Sequence, residues 1–515
     1  MRPPLPLPIL QPIAGRTPVD PIRPITASSP GQVSRHFGPE AKEKCGVVGV
    51  WGHPDAVRLT YLAMYAQQHR GQESAGIAVS DGSGITGLAG MGLVPDVFNH
   101  AALAALEAHA GAGAIGHNRY STAGGSKECN AQPLVESYIG GQVAIAHNGN
   151  LINGDLLRLR FEEQGHIFHT TSDTEVIVHL LASPRQHKSD DALKATLRRL
   201  EGAFSLVMLF PDRIEAARDP WGWRPLVLGR LPDGQPAVAS ETVALDVIGA
   251  RFEREVEPGE IVTLDNDTLG GRPVKSRAFA PPSDRLAMCV FEHVYFASPA
   301  STIFGQNVQT VRERLGERLA QEAGVEADFV MPMPDSGRSA AAGYARAARI
   351  PYREGIVPNR YVGRTFIKPT QEERRAAVRL KLNVISEIVR DKRLVVVDDS
   401  IVRGTTTREK MQQIREAGAK EIHLRISCPP IRHPCYFGVD FARRDELIAH
   451  ENDEEAIRRF LGVDSLRYLS KEGMLACVKH APENYCTACY DGDYRLDPDH
   501  PTTGIVTGSG QESLF

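Results

Sequence analysis

The chain has 515 residues, 42% of them hydrophobic and 24% charged, which exceeds what one core usually holds and implies two or more globular domains. A formal net charge of −4 gives no electrostatic reason for nucleic acid or membrane to be the main partner, so small-molecule chemistry is the expectation. No window approaches the roughly 20 consecutive apolar residues that span a bilayer, and the start MRPPLPLPILQPIAG is too broken by proline for a secretory segment, so a cytoplasmic protein is expected.

Residues 1–44 hold ten of the 35 prolines without periodicity, the composition of a disordered leader or propeptide, and the fold is expected to begin at Cys45. From 45 to 265, short apolar runs such as 45–51 and 142–146 alternate with Gly, Asn and Asp clusters, as in stacked antiparallel sheets. Helical patterns over 156–164 and 190–200 interrupt them, so this half reads α+β. A polar, proline-bearing stretch, 266–284, reads as a linker. Over 285–497 strands are followed by helices, most clearly 393–399, a loop, and 407–417, which predicts an α/β domain with a parallel sheet. Residues 498–515 form a polar tail, and no internal repeat is visible.

The run VVVDDSIVRGTTT at 395–407 places Asp398 and Asp399 at a strand's carboxyl end, ahead of a Ser/Gly/Thr loop that opens a helix. Amides and hydroxyls of Ser400, Arg403, Gly404, Thr405 and Thr406 at such a helix start can hold a phosphate, and the two acids can take ribose hydroxyls directly or through Mg²⁺. Two adjacent acids alone would equally cap the next helix. The full string is more specific and resembles the phosphoribosyl pyrophosphate (PRPP) signature of type I phosphoribosyltransferases. By the same resemblance the loop MPDSGR at 333–338 meets the pyrophosphate through Ser336 and Gly337, with Ser336 beside the metal. On composition, RYVGRTFI at 360–367 and the basic stretch to Lys381 are a solvated charged face. The resemblance makes them a cover that closes over PRPP.

Cleaving a carboxamide needs a nucleophile, a base and donors for an oxyanion. Cys45 is the candidate nucleophile, and removal of the leader after Lys44 would free an α-amine to serve as its base. A lone cysteine in an apolar run is ordinarily inert core. Its context overturns that: HRGQESAG at 69–76, GHNRYST at 116–122, AHNGN at 146–150 and TSDTE at 171–175 resemble, in order and spacing, the N-terminal-nucleophile amidotransferases. The resemblance implies an αββα sandwich, Arg119 on the glutamine α-carboxylate, Asp173 on its α-ammonium, and an oxyanion hole from Asn148 and the Gly149 amide. DPWGWRPL at 219–226 also resembles a segment of these enzymes and is assigned a structural role.

Cys486 and Cys489 form a CxxC, with Cys289 and Cys435 upstream; four thiolates suit zinc or an iron-sulfur cluster, and spacing does not choose. Both halves together resemble the amidophosphoribosyltransferases over about residues 45–490. One branch of that family carries a leader and a [4Fe-4S] cluster, with ligands before a Tyr-Phe-Ala segment, in a His-Pro-Cys segment and in a C-terminal CxxC. Cys289 before YFA at 295–297, Cys435 in HPC at 433–435, and Cys486 with Cys489 match it. Cys129, Cys428 and Cys477 match no ligand position and are expected to be buried thiols. A departure is SPAS at 298–301, where Arg-Pro-Asp-Ser is expected.

The resemblance implies glutamine and PRPP as substrates, 5-phosphoribosylamine as product, Mg²⁺ and a [4Fe-4S] cluster as cofactors, feedback by purine nucleotides, and a homotetramer. Another amidotransferase sharing the glutaminase half is disfavoured by Asp398 and Asp399. A non-catalytic PRPP sensor is disfavoured by Cys45, Arg119, Asn148 and Asp173, which a sensor does not need.

Overall fold

The structure, a computed structural model, describes residues 44–120, 127–184, 189, 191–359, 382–439 and 444–502. Residues 1–43 of the leader, the cover at 360–381, Ser121, Thr122 and the tail from 503 lie outside the described residues.

In the first half, apolar residues alternate along strands whose two faces are both buried. On Lys44–Trp51, Val47 and Trp51 enter one core and Val48 and Val50 another. On Gly141–Leu151, Ala144 and Ala146 face that first core while Val143 and Ile145 face a third. Strands with two apolar faces must be covered twice, and the result is four layers. One antiparallel sheet runs Arg251–Glu255, Val227–Arg230, Pro236–Ala239, Lys44–Trp51, Gly113–Tyr120, Ser74–Ser80, Ile85–Met91. The other runs Lys275–Ala278, Glu260–Leu264, Arg213–Arg218, Gly202–Phe210, Gly141–Leu151, Leu134–Tyr138. Helices Ala56–Ala66, His100–Glu107 and Thr242–Val247 cover the first sheet; Gly154–Glu163, Thr174–Ala182 and Ala192–Leu197 cover the second. This is the αββα arrangement. The stretch 266–284, read as a linker, differs from expectation: Lys275–Ala278 is an edge strand paired with Glu260–Leu264. Its KSRA sequence has no apolar alternation because backbone hydrogen bonds rather than burial hold it.

The second half is α/β. Four parallel strands stand in the order Phe329–Pro332, Arg393–Asp398, Glu421–Ile426, Ser465–Tyr468. Leu394 through Val397 are an unbroken buried run, as a strand covered on both faces requires. Helices Val308–Glu322, Arg338–Ala348, Thr405–Glu416 and Glu454–Leu461 contribute to the same core.

The halves are stitched together at several points. The Ala287 and Cys289 amides donate to the carbonyls of Trp221 (2.8 Å) and Trp223 (3.2 Å). Near the end of the described chain, Thr502 accepts from Asn153 Nδ2 at 3.0 Å and donates its amide to Glu201 at 2.6 Å, so a C-terminal strap returns to the first half.

Candidate functional sites and their comparison with known proteins

Cys45 is buried near the start of its strand and stands in register with Arg119 on the neighbouring strand. Arg119 is itself buried and pairs with Glu73 at 3.3 Å. The two sheets are tied here, since His117 Nε2 donates to the His147 carbonyl at 3.0 Å. Asn148 and Gly149 follow directly. A β-carbon on Gly149 would collide with the Ala203 carbonyl, so only glycine lets these strands approach. The Asn148 Nδ2 is buried and has no hydrogen-bond partner among the described residues.

The open edge of this strand is occupied in an orderly way. Its neighbour Leu134–Tyr138 covers only residues 141–145. Beyond that, the His147 amide donates to Gln132 Oε1 and the Leu151 amide to Asp173 Oδ2, both at 2.8 Å. Strand alternation directs the Gly149 N–H to the same edge, between those two. Asp173 precedes the helix Thr174–Ala182 and lies 3.7 Å from His147 Nδ1. Cys45 and Arg119 thus lie side by side in one sheet, Asn148, Gly149 and Asp173 lie at one edge of the other, and the His117–His147 hydrogen bond ties the two sheets. Ordinary burial keeps His117 neutral, its imidazole pushed down to about 3.

In the second half, Asp398 ends its strand, and the Asp399 amide and Ser400 hydroxyl donate to the Asp398 and Asp399 carboxylates in turn. Both acids are buried, and neither forms an ion pair among the described residues. Burial, and then the neighbouring Asp399 charge, push Asp398 up to about 7. Gly404, left-handed at φ 74°, precedes the helix Thr405–Glu416; Thr405 and Thr406 are exposed at its start. Arg403 is engaged by Glu446 at 2.5 Å. Phe329–Pro332 runs beside this strand, and the Met333 amide donates to the Val397 carbonyl at 2.8 Å, which sets the Ser336 and Gly337 loop next to the acid pair.

Cys289 and Cys486 are register partners on two short parallel strands. Cys435 Sγ accepts the Phe437 N–H at 3.4 Å, and the Cys489 carbonyl accepts the amides of Arg432 (2.9 Å) and His433 (3.0 Å). Burial pushes the Cys289 thiol up to about 12 and raises the Cys489 thiol likewise, with the neighbouring cysteines adding to the shift. Among the described residues no three His, Cys, Asp or Glu converge as for a single ion. Cys428 and Cys477 are buried as expected, but Cys129 is exposed. It sits in the turn Glu128–Asn130, where Asn130 rather than Cys129 supplies the buried side chain.

A group of charges absent from the sequence reading lies between the halves. Arg70 bonds Glu241 and, at 2.7 Å, Glu292; Arg224 bonds Glu292 at 3.0 Å; all four side chains are buried. Burial works against both carboxylates, yet Arg70, with His69 at Glu241 and Arg224 at Glu292, holds them below the usual range. The departure at 298–301 feeds this group: the Ser298 amide (2.8 Å) and Ser301 hydroxyl (2.5 Å) donate to Glu241. The sequence signal was faint: Arg70 and Arg224 lie within the motifs at 69–76 and 219–226 with nothing to show their partners, and Glu241 and Glu292 are single acids far from either. In DPWGWRPL, Asp219 is a buried structural anchor that accepts the amides of Trp221 (2.9 Å) and Gly222 (2.7 Å).

The sandwich with a parallel-sheet domain behind it places the chain among two-domain glutamine amidotransferases, and residues 117–247 match the family model for a glutamine amidotransferase domain. The chain is 50% identical to the amidophosphoribosyltransferase of Methanothermobacter thermautotrophicus over 88% of its length and 95% of that protein. It is 47% identical to the chloroplastic amidophosphoribosyltransferase of Vigna aconitifolia over 91% of its length and 95% of that protein. The solved glutamine PRPP amidotransferase from B. subtilis, complexed with ADP and GMP, superposes with a TM-score of 0.80 at 44% identity, covering 88% of this chain and 98% of that one. The chain belongs to the amidophosphoribosyltransferases, pentosyl-transferring enzymes that catalyse the first step of purine biosynthesis. They make 5-phosphoribosylamine, glutamate and pyrophosphate from glutamine, PRPP and water.

Proposed function

We propose that Cys45 is the nucleophile of the glutamine half-reaction, with Arg119 and Asp173 pairing with the substrate α-carboxylate and α-ammonium, and Asn148 and the Gly149 amide forming the oxyanion hole. The observation that carries this reading is the buried Asn148 amide nitrogen without an acceptor among the described residues. A buried donor left open is costly unless substrate fills it. Cleavage of the leader after Lys44 supplies the α-amine that takes the Cys45 proton. The thiolate then attacks the carboxamide carbon, the amine returns its proton to departing ammonia, and water releases glutamate from the thioester.

The second site uses Asp398, Asp399, Ser336, Gly337, Ser400, Arg403, Gly404, Thr405 and Thr406 to bind PRPP. Two buried carboxylates without an ion-pair partner among the described residues fit a divalent cation. Mg²⁺ held by Asp398, Asp399 and Ser336 would neutralise charge developing on pyrophosphate. The loop amides and hydroxyls orient C1 toward ammonia, whose lone pair forms the C–N bond as the C–O bond to pyrophosphate breaks.

Cys289, Cys435, Cys486 and Cys489 are the ligands of a [4Fe-4S] cluster on this reading. Support comes from the Cys289/Cys486 pairing and the N–H donated to Cys435 Sγ. Four thiolates are the usual ligand set of such a cluster, and the match of these cysteines to the cluster-bearing branch of the family is what favours it over zinc. Neither half-reaction moves electrons, so the cluster has a structural or oxygen-sensing role. The relative solved with ADP and GMP supports purine nucleotides as feedback ligands. A homotetramer and a cytoplasmic location complete the reading; no helix among the described residues is long and apolar enough to cross a membrane.

The test is glutamate release with and without PRPP on protein purified without oxygen, with intact mass read on the same sample. PRPP-stimulated release from a chain beginning at Cys45 is expected. A correctly processed, metal-replete chain that releases none, or an active chain still beginning at Met1, overturns the Cys45 assignment.

A further inference from the structure

We infer that Asn150 and the turn at residues 436–438 form a positioning device for the oxyanion donors, so that glutamine hydrolysis is tuned by a segment outside the glutaminase sandwich. The inference rests on the reading of Asn148 and Gly149 as those donors.

The need for outside support follows from register. Residues 146–151 have no strand neighbour on one side, because Leu134–Tyr138 stops opposite Ile145; on that edge the Gln132 and Asp173 side chains take the His147 and Leu151 amides, and the stretch between them has only Gly202–Phe210 as a paired strand. A half-paired strand end has more freedom than an oxyanion hole tolerates. The turn from the second half supplies what is missing. Asn150 Nδ2 donates to the Tyr436 carbonyl at 2.9 Å. Gly438 lies against Gly149 itself: a β-carbon on Gly438 would sit 3.2 Å from the Gly149 carbonyl carbon and 3.3 Å from its α-carbon.

The turn is rigid in its own right. Arg224 Nη2 donates to the Phe437 carbonyl at 2.7 Å, and the Phe437 ring stacks on Trp223 with centroids 4.4 Å apart. Phe437 is also held through its N–H to Cys435 Sγ. Gly438 is left-handed at φ 95°, so a larger residue would both strain the turn and press on Gly149. A shift of a few tenths of an ångström there changes the donor geometry without touching the residues that bind glutamine's ends.

The experiment compares wild type, Gly438→Ala and Asn150→Ala as full, processed protein, with kcat and KM measured for glutamine and, separately, for an ammonium salt as nitrogen source. We expect the glutamine-dependent kcat to fall by about tenfold to a hundredfold, because oxyanion stabilisation is what is lost. The KM for glutamine should stay within about threefold and the ammonia-dependent rate within about twofold, since ground-state binding and the PRPP site are untouched. Affinity for a glutamine aldehyde, which forms a tetrahedral adduct on Cys45, should fall in parallel with kcat. Glutamine-dependent kcat within about twofold of wild type, or equal loss with both nitrogen sources, would overturn the inference. If Gly438→Ala does not fold, Asn150→Ala decides on the same criteria. A wild type that uses ammonia but hydrolyses no glutamine would instead sink the oxyanion-hole reading on which this rests.

Discussion

The two sites are built in opposite ways. In the first half all the candidate residues but Asp173 sit on strands inside a four-layer sandwich, and Cys45, Arg119 and Asn148 are all buried. In the second they run from the carboxyl end of a parallel strand, at Asp398, through loops to the helix start at Thr405 and Thr406, where these two and Arg403 are exposed. A strand site is stiff and depends on its register. A loop site is open to a bulky phosphorylated ligand and depends on what that ligand brings with it.

The contrast is broken most severely by removing chemistry from one side alone. Cys45→Ala should cut glutamine-dependent turnover at least about a thousandfold while ammonia-dependent synthesis persists. Equal loss with both nitrogen sources would mean that the sites are not separable. Asp398→Asn should do the reverse, lowering synthesis from either nitrogen source by a few hundredfold, as loss of a cation clamp does. Pyrophosphate release measured with glutamine and with ammonium reads both variants.

Next in size is the border between them. Glu292 bonds Arg70 and Arg224 at once, so Glu292→Gln leaves two buried guanidinium groups undercompensated and should cost roughly 3 kcal/mol of stability in urea unfolding. A change within about 0.5 kcal/mol would mean that the charges are solvated in solution.

The smallest effect is one of pH and belongs to the strand site. His117 titrates near 3 when folded, against 6.5 unfolded. Above pH 6.5 both states are neutral; as pH falls from there toward 3 only the unfolded chain takes the proton, so stability is progressively lost. At pH 5 this amounts to about 2 kcal/mol, to be seen as a fall in Tm that His117→Gln flattens.

The loop site was the more legible in sequence, because a hydrophobic strand, Asp398 and Asp399, and a Gly-Thr-Thr helix start are contiguous and each imposes local geometry. The strand site was legible only as four scattered motifs, and Cys45 alone would have passed for core. The border charges were not legible: Arg70, Glu241, Glu292 and Arg224 are far apart in the chain, and an isolated Arg or Glu in sequence reads as surface. The edge strand Lys275–Ala278 was missed for the opposite reason, since pairing rather than composition makes it a strand. Cys129 was placed inside by its residue type, yet its turn points it outward.

The strap that brings Thr502 back to Asn153 and Glu201 also bears on inheritance. It makes the far end of the second domain part of the first, so recombination at a single crossover between the two would transplant a catalytic body without its fastening. Exchange of either half alone would leave Asn153 and Glu201 facing a strap that no longer matches them.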